Sequence, residues 1–252
     1  MSYQIYGLKC GEKDYKESQF FFMETSDAPL TLYFYLWVIL GGPHPVVVDT
    51  GFSHDDARQW EMRQWVGAAD LLARVGVKAA EVPLVIISHL HWDHWDGYEY
   101  FPSAEFWIQE EEIDFWTGFA GCYPVYRQFA TATALGELVR LNYGGRIRRL
   151  RGEVPVLPGI TTHWVGGHTP GSQIVTVSTA KGPVVLAVDA SHCYRNIERR
   201  QPTQLITNLP QMLQAFDRIE SLAGPSRLVV PGHDPEVARR FDELEPGVIR
   251  VA

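Results

Sequence analysis

The stretch Ser88-His89-Leu90-His91-Trp92-Asp93-His94 follows directly after the apolar run Leu84-Val85-Ile86-Ile87. A β-branched run of this kind is typical of a buried strand. The polar residues are therefore expected on the loop that leaves the carboxyl end of the strand, where α/β folds commonly place ligands. The first two histidines can converge on one metal ion, while Asp93 and the last histidine can face a second ion. Imidazole nitrogens with one carboxylate suit zinc, with iron or manganese as alternatives.

Three later segments also carry a metal-binding residue type beside a strand-like run. They are Thr162-His163-Trp164-Val165-Gly166-Gly167-His168-Thr169-Pro170-Gly171-Ser172, Val184-Val185-Leu186-Ala187-Val188-Asp189, and Leu228-Val229-Val230-Pro231-Gly232-His233-Asp234. An earlier run, Val46-Val47-Val48-Asp49-Thr50-Gly51, ends in a D-T-G turn. In this order the segments resemble the metallo-β-lactamase superfamily, whose later ligands include the histidine of a G-H-T-x-G-S pattern, a bridging aspartate and a final histidine.

The resemblance implies a dinuclear site. It assigns the first metal to His89, His91 and His168, the second to Asp93, His94 and His233, and a position between the two metals to Asp189. The aspartate of the D-T-G turn is expected to support these ligands from behind. Chemistry also favours two ions, because so many ligands exceed the needs of one tetrahedral zinc but suit two ions that share a carboxylate and a solvent bridge. We therefore expect two divalent metal ions, zinc first, with manganese or iron possible.

The expected activity is metal-dependent hydrolysis. A water that bridges two cations loses a proton near neutral pH and becomes a good nucleophile. The compact length and the D-A-S segment resemble most closely the N-acyl-homoserine-lactonase branch, which implies ring opening of a lactone, or of a related cyclic ester or amide, by a hydroxide that bridges the metals. Asp93, or another nearby acid, is expected to hand a proton to the leaving group.

One position departs from that branch, in which a tyrosine commonly stands three residues after the bridging aspartate. Here the segment is Asp189-Ala190-Ser191-His192-Cys193-Tyr194, so that a histidine takes the third place and a tyrosine only the fifth. The imidazole of His192 titrates near neutrality and can serve as a donor or proton shuttle. His192 and Tyr194 are therefore both candidate catalytic residues.

Two other activities remain open. A thioesterase of the glyoxalase II kind resembles this chain in its ligands, although such enzymes usually add a helical module with basic groups. A persulfide dioxygenase, with redox chemistry at one iron and three ligands, is the other alternative. The metal content of the protein distinguishes a mono-iron site from a dinuclear one.

Composition limits the partners. The 252 residues are expected to form one domain over 1–252, and the formal net charge of −8 argues against a nucleic-acid partner, since phosphate binding needs concentrated Lys and Arg. No signal peptide is evident at the start, and the longest apolar run, Leu32 to Leu40, is too short to cross a bilayer. Free thiols at Cys10, Cys122 and Cys193 fit a reducing cytoplasm.

Aromatic side chains indicate the nature of the substrate. Trp92 and Trp95 flank the first ligands, and further aromatic residues follow over 115–126. They predict an apolar pocket for a small molecule with an apolar or aromatic portion, with core packing as the alternative for each ring. A homodimer is possible, because relatives in the lactonase branch are often dimers.

The pattern of apolar runs predicts the fold. Strands are expected at 3–8, 19–24, 30–41, 45–49, 104–109, 160–165, 172–178, 183–188 and 227–230. Helices are expected over His54 to Val75, Glu110 to Trp116 and 208–223. Strand groups separated by helices predict an α/β protein with an αββα sandwich, in which two mixed sheets pack face to face with helices outside.

Overall fold

The apolar runs of the sequence form the strands of two sheets in the computed structural model, which describes residues 2–252. Within that range the strands are β1 (Gln4–Lys16), β2 (Pro29–Leu40), β3 (Val46–Val48), β4 (Leu84–Ile86), β5 (Glu105–Gln109), β6 (Ile147–Leu150), β7 (Glu153–Leu157), β8 (Ile160–Trp164), β9 (Gln173–Thr179), β10 (Gly182–Val188), β11 (Leu228–Pro231), β12 (Asp242–Glu245) and β13 (Val248–Arg250).

Helices connect these strands. They are α1 (Glu17–Phe20), α2 (His54–Gln59), α3 (Ala68–Arg74), α4 (Trp92–Trp95), α5 (Glu110–Thr117), α6 (Pro124–Arg127), α7 (Ala132–Tyr143), α8 (Tyr194–Glu198), α9 (Leu209–Ala223) and α10 (Glu236–Arg240). Short 3-10 helices occur at Ala79–Glu81, Tyr98–Tyr100, Phe119–Cys122 and Gly224–Ser226. None of the helices in residues 2–252 combines the length and the apolarity needed to span a lipid bilayer.

Both sheets are mixed. The larger sheet has the order β12-β13-β1-β2-β3-β4-β5-β6, and the smaller has the order β11-β10-β9-β8-β7. In the larger sheet β3, β4, β5 and β6 run parallel, whereas β1, β2 and β3 pair antiparallel. In the smaller sheet only β10 and β11 run parallel. Parallel neighbours end at the same edge, so the loops that carry the predicted ligands meet there.

Burial on both faces explains why these strands read as continuous apolar runs. Trp37 and Ile86 of the larger sheet and Leu186 of the smaller sheet fill the layer between the sheets. The other face of the larger sheet packs with helical residues such as Leu138, and the other face of the smaller sheet packs with Ile219 of α9. This arrangement confirms the predicted αββα sandwich.

Two local predictions were wrong. The apolar residues of 19–24 do not form a strand: α1 ends at Phe20 and a turn follows, because Phe20 and Phe21 bury their rings against each other and the core, with centroids 5.3 Å apart, instead of joining a ladder. The helix predicted from His54 to Val75 is two helices, α2 and α3. Between them the chain turns back to β1, where Arg63 forms an isolated bridge with Glu12.

Candidate metal centre and active site

The predicted ligands come together at the strand ends of both sheets. The loop after β4 in the larger sheet supplies four of them, and the loops after β8, β10 and β11 in the smaller sheet supply the other three. All are buried: His89, His91, Asp93, His94, His168, Asp189 and His233. Their convergence from segments far apart in the chain shows that the fold, and not only the first motif, builds this centre.

The first group surrounds one oxygen of Asp189. Its Oδ2 lies 3.3 Å from Nε2 of His168 and 3.6 Å from Nε2 of His89. The Nε2 of His168 lies 3.0 Å from Nδ1 of His91 and 3.2 Å from Nε2 of His89. These three imidazoles and the carboxylate form one cluster of potential metal ligands.

The second group surrounds the other oxygen of Asp189. Its Oδ1 lies 2.9 Å from Nε2 of His233 and 3.4 Å from Nε2 of His94. The Oδ2 of Asp93 lies 3.2 Å from Nε2 of His94 and 3.6 Å from Nε2 of His233. Each oxygen of Asp189 therefore faces a different group, which is the arrangement that a bridging carboxylate needs.

Hydrogen bonds behind the cluster fix the ring orientation of four histidines. The partners of their Nδ1 atoms are Ser88 Oγ for His89 at 3.0 Å, Asp49 Oδ2 for His94 at 2.8 Å, the Leu205 carbonyl for His168 at 2.6 Å and the Tyr33 carbonyl for His233 at 2.9 Å. An acceptor at Nδ1 keeps the proton there and leaves the Nε2 lone pair free for a metal. His91 differs, because its Nδ1 faces the cluster and its ring packs against Trp116 and Phe129 at 5.4 and 5.2 Å.

The electrostatics of the two groups differ. Burial lowers the pKa of His89 and of His168 well below the ordinary value and lowers the pKa of His91 to about 4, so these rings are neutral. Burial would also lower the pKa of His94, but the carboxylates around it, Asp93 first, hold this pKa well above the ordinary value. The second group thus attracts positive charge, and a divalent cation can take the place of the proton.

Two atoms of the cluster test whether metal ions fit. Among residues 2–252, the Nε2 of His94 and the Oδ1 of Asp189 are buried and make no hydrogen bond of normal geometry, in spite of the 2.9 Å between Oδ1 of Asp189 and Nε2 of His233. Leaving a buried polar atom unpaired costs about 1–3 kcal/mol, more for a charged one. Both atoms belong to the second group, where they lie 3.4 Å apart, and their nitrogen and oxygen chemistry suits zinc, iron or manganese. The residues present therefore fit a divalent metal site.

Unusual backbone geometry lies beneath the cluster. Val188 has a φ of 44° and Asp49 a φ of 64°, both in the left-handed region. For a β-branched residue this conformation is a genuine outlier and costs about 1–3 kcal/mol. The register of β10 against β11 shifts at Val188, and the carbonyl of Val188 accepts a hydrogen bond from Gly232. This strained turn directs the next residue, Asp189, toward the histidines.

An apolar cavity opens above the cluster. It has a volume of about 70 Å³, and a second cavity of about 110 Å³ adjoins it, with His91, Phe129 and Leu205 in both walls. The first cavity is also lined by Tyr15, Phe20, Leu32, Phe34, Trp60, Trp92, Asp93, Asp189, His192 and His233. The Trp60 and Trp92 rings stack with centroids 4.9 Å apart and planes 8° apart. These walls suit the apolar portion of a small molecule.

The aromatic residues named from the sequence divide between wall and core. Trp92, Trp116 and Tyr126 line the two cavities. Trp95 is fully buried, and its indole N–H donates to the carbonyl of Ala134, so it is a core residue. Other wall residues carry no such signal in the sequence. Tyr15 lies in the polar end of β1, and Phe34 lies in the apolar run of β2, which indicates core packing.

The two candidates after the bridging aspartate lie in different places. The Nε2 of His192 is 3.0 Å from Oδ2 of Asp189, and its ring stacks on His233 at 5.3 Å. Tyr194 lies on the other side of the loop, with its ring under the guanidinium of Arg240 at 3.6 Å, and it lines a separate cleft. The structure brings His192 to the centre and does not bring Tyr194 there, because the backbone N–H of Tyr194 is held by Asp234 as α8 begins.

The profile of the metallo-beta-lactamase superfamily matches residues 35–233 of the chain. The chain belongs to this superfamily. The match spans β2 through the loop after β11 and so includes all the predicted ligands.

Curated relatives point to one branch of the superfamily. An N-acyl homoserine lactonase of Bacillus sp is 29% identical over 172 residues, which are 68% of this chain and 63% of the relative. An N-acyl homoserine lactonase of Bacillus cereus is 32% identical over 173 residues, 63% of this chain and 64% of the relative. The matched region thus spans just under two thirds of the length of these relatives.

Solved structures agree in fold over nearly the whole chain. A quorum-quenching N-acyl homoserine lactone lactonase superposes with a TM-score of 0.82 at 23% identity, with 99% of both chains covered. An N-acyl homoserine lactone hydrolase, solved with the product N-hexanoyl-L-homoserine bound at its catalytic metal center, gives 0.82 at 21% identity, with 99% of this chain and 100% of that one covered. At these identities the likeness establishes the fold.

Proposed function

We propose that the protein is a dinuclear metal-dependent hydrolase that opens the ring of a lactone, or of a related cyclic ester or amide. The observation that carries the proposal is the shared Asp189 carboxylate, whose two oxygens face two separate groups of buried ligands. The membership of the superfamily and the lactonase names of the curated relatives support the same reaction class. The nitrogen-rich donor set favours zinc, with manganese or iron as alternatives.

We assign the predicted ligands as follows. The first cation would be held by His89, His91 and His168, the second by Asp93, His94 and His233, and both by Asp189. When bound, the pair would supply an activated water and a Lewis acid for the substrate carbonyl.

The residues of the chain supply the rest. The stacked Trp60 and Trp92 rings and Phe34 would hold the apolar portion of the substrate and exclude water from the ligands below. Asp93 borders the same cavity, where it can hand a proton to the leaving oxygen or nitrogen. His192 also borders the cavity and stands where the lactonase branch has its tyrosine.

We propose that His192 donates a hydrogen bond to the substrate or shuttles a proton. Burial lowers the pKa of His192, and Asp189 opposes this shift, so the ring is neutral and carries one exchangeable proton. Its Nδ1 is buried without a hydrogen-bond partner among residues 2–252, so that no protein group fixes the tautomer from that side. The contact of 3.0 Å between Nε2 of His192 and Oδ2 of Asp189 holds the ring proton on Nε2 and leaves the lone pair of Nδ1 free to accept a proton.

The test is metal content measured by plasma mass spectrometry, together with turnover of a panel of lactones, cyclic esters and thioesters. We expect close to two divalent ions per chain and ring-opening activity. His168→Ala should lose the first ion and nearly all turnover, whereas His54→Ala, a histidine outside the centre, should lose neither. A single iron with no lactone turnover would refute the proposal and favour the dioxygenase, and preferred thioester turnover would favour the thioesterase.

A second variant tests His192 itself. His192→Phe keeps a ring of similar shape but removes both nitrogens. We expect turnover to fall while metal content stays at two ions per chain. An unchanged rate would show that His192 has only a structural role.

The location, the type of partner and the oligomeric state of the protein are also proposals. We infer a cytoplasmic location from the three free thiols, of which Cys122 is exposed, and a small-molecule substrate without a nucleic-acid partner from the net charge of −8. A homodimer is proposed by likeness to the lactonase branch. Sedimentation at micromolar concentration decides the oligomeric state, and fractionation of the source cells decides the location.

A further inference from the structure

Glu112 is a fully buried carboxylate that is not one of the predicted ligands. It lies in α5, and its side chain accepts four hydrogen bonds. The donors are the Leu90 N–H at 2.8 Å, the Trp116 indole N–H at 2.6 Å, the Thr169 hydroxyl at 2.7 Å and the Gly171 N–H at 2.9 Å. Burying a carboxylate is costly unless it is fully paired. Loss of one of these four hydrogen bonds should therefore destabilise the local structure.

The two oxygens of Glu112 serve different ligand loops. Oε1 accepts from Leu90, which stands between the ligands His89 and His91. Oε2 accepts from Thr169, directly after the ligand His168, and from Gly171 in the same loop. One carboxylate thus joins the larger-sheet loop to the smaller-sheet loop, and both loops carry ligands of the first metal group.

The packing around Glu112 reaches His91, the one predicted histidine ligand for which residues 2–252 provide no hydrogen-bond partner behind the cluster. Trp116, which is held by Oε1 of Glu112, packs edge-on against the His91 ring at 5.4 Å. Gly171 approaches so closely that a Cβ there would lie 2.2 Å from the backbone nitrogen of Glu112. The loop, the helix and the His91 ring are therefore fixed relative to one another by this contact.

The second metal group has a different support. Its His94 is held by Asp49, and its His233 is held by the carbonyl of Tyr33. None of the four donors to Glu112 belongs to a residue adjacent to Asp93 or His233. A change at Glu112 should consequently act on one group and spare the other.

We propose that Glu112 is a positioning residue that sets the geometry, and hence the cation affinity, of the first metal group by tying the loop of His89 and His91 to the loop of His168. The inference rests on the proposed function in that it adopts its two ligand groups. A glutamine at this position offers one oxygen and one NH₂ group, so at least one of the fixed N–H donors would meet another donor.

The experiment measures zinc affinity of each group separately, by competition with a chromophoric chelator. His233→Ala disables the second group and His91→Ala disables the first. We expect Glu112→Gln to lower zinc affinity about 10- to 100-fold in the His233→Ala background, the range typical of partners behind metal ligands. In the His91→Ala background we expect a change of less than about threefold.

Controls separate this role from general destabilisation. Leu138→Ala opens a cavity in the buried face of α7 and should lower the melting temperature without a group-specific loss of affinity. Thr169→Val removes one of the four donors and should show a smaller loss at the first group. Equal losses at both groups, or no loss, would overturn the inference. Failure of the wild-type protein to bind two divalent ions of any of the three metals would instead overturn the proposed function.

Discussion

Replacing Asp49 by asparagine is expected to weaken the second metal group without disturbing the backbone. Asp49 is fully buried and accepts from the Ser88 N–H at 2.7 Å, from the Ser88 hydroxyl at 2.9 Å and from the His94 ring at 2.8 Å. Its φ of 64° lies in the left-handed region, which asparagine also tolerates. The variant therefore changes the acceptor and leaves the turn in place, which an alanine would not do.

The size of the effect follows from the number of donors. Oδ1 of Asp49 faces the backbone N–H of Ser88, and Oδ2 faces the His94 ring. An amide has one acceptor end, so in either orientation one N–H meets an NH₂ group. Loss of one hydrogen bond to a charged group is worth about 1.5–3 kcal/mol. With tenfold per 1.4 kcal/mol, second-group zinc affinity should fall about 10- to 150-fold.

The assay is chelator competition in the His91→Ala background, with turnover of the otherwise unchanged variant measured in parallel. Asp56→Asn is the matched control, because Asp56 is also a buried carboxylate that accepts from a serine N–H and hydroxyl, but it caps α2 and does not contact a ligand. Wild-type zinc affinity and turnover in Asp49→Asn would refute the reasoning, as would an equal loss in Asp56→Asn.

Further outcomes are expected at other positions. Ellman's reagent should titrate one thiol, Cys122, in the native protein and three in denaturant, because burial raises the pKa of Cys10 to about 12 and shields it; two fast native thiols would contradict this. Gly232→Ala places a Cβ 2.7 Å from Oδ1 of Asp189, so the variant should bind at least one metal ion fewer per chain when metal content is measured. Two retained ions would count against the bridging geometry. Trp60→Ala should raise KM for apolar lactones about 2- to 10-fold through the lost stacking, with kcat little changed; an unchanged KM would place Trp60 outside the binding surface.

Much of the centre could be predicted because metal chemistry restricts residue type and strand ends restrict position. His89 and Asp189 follow β-branched runs that are typical of buried strands, and the order of the later segments resembled one family. The continuous apolar run also predicted the strand β2. Every residue from Phe34 to Ile39 is buried there, because both faces of the sheet are covered.

What could not be predicted depends on contacts between segments far apart in sequence. Glu112 stands in the run Glu110-Glu111-Glu112, and a run of charges is typical of a solvated helix face. Only the approach of the Gly171 loop to α5 makes one of the three a buried acceptor. Likewise, the carbonyl of Leu205 supports a ligand through its backbone, so its side chain gives no signal.

Each metal group draws ligands from both sheets: His91 and His168 meet in the first group, and His94 and His233 meet in the second. A cation at either place would therefore be a cross-link between the two halves of the sandwich. Separating the two sheets would require breaking these bonds. The cations should accordingly lengthen the half-life of the folded protein under heat or protease, and loss of metal would shorten that lifetime as well as stop turnover.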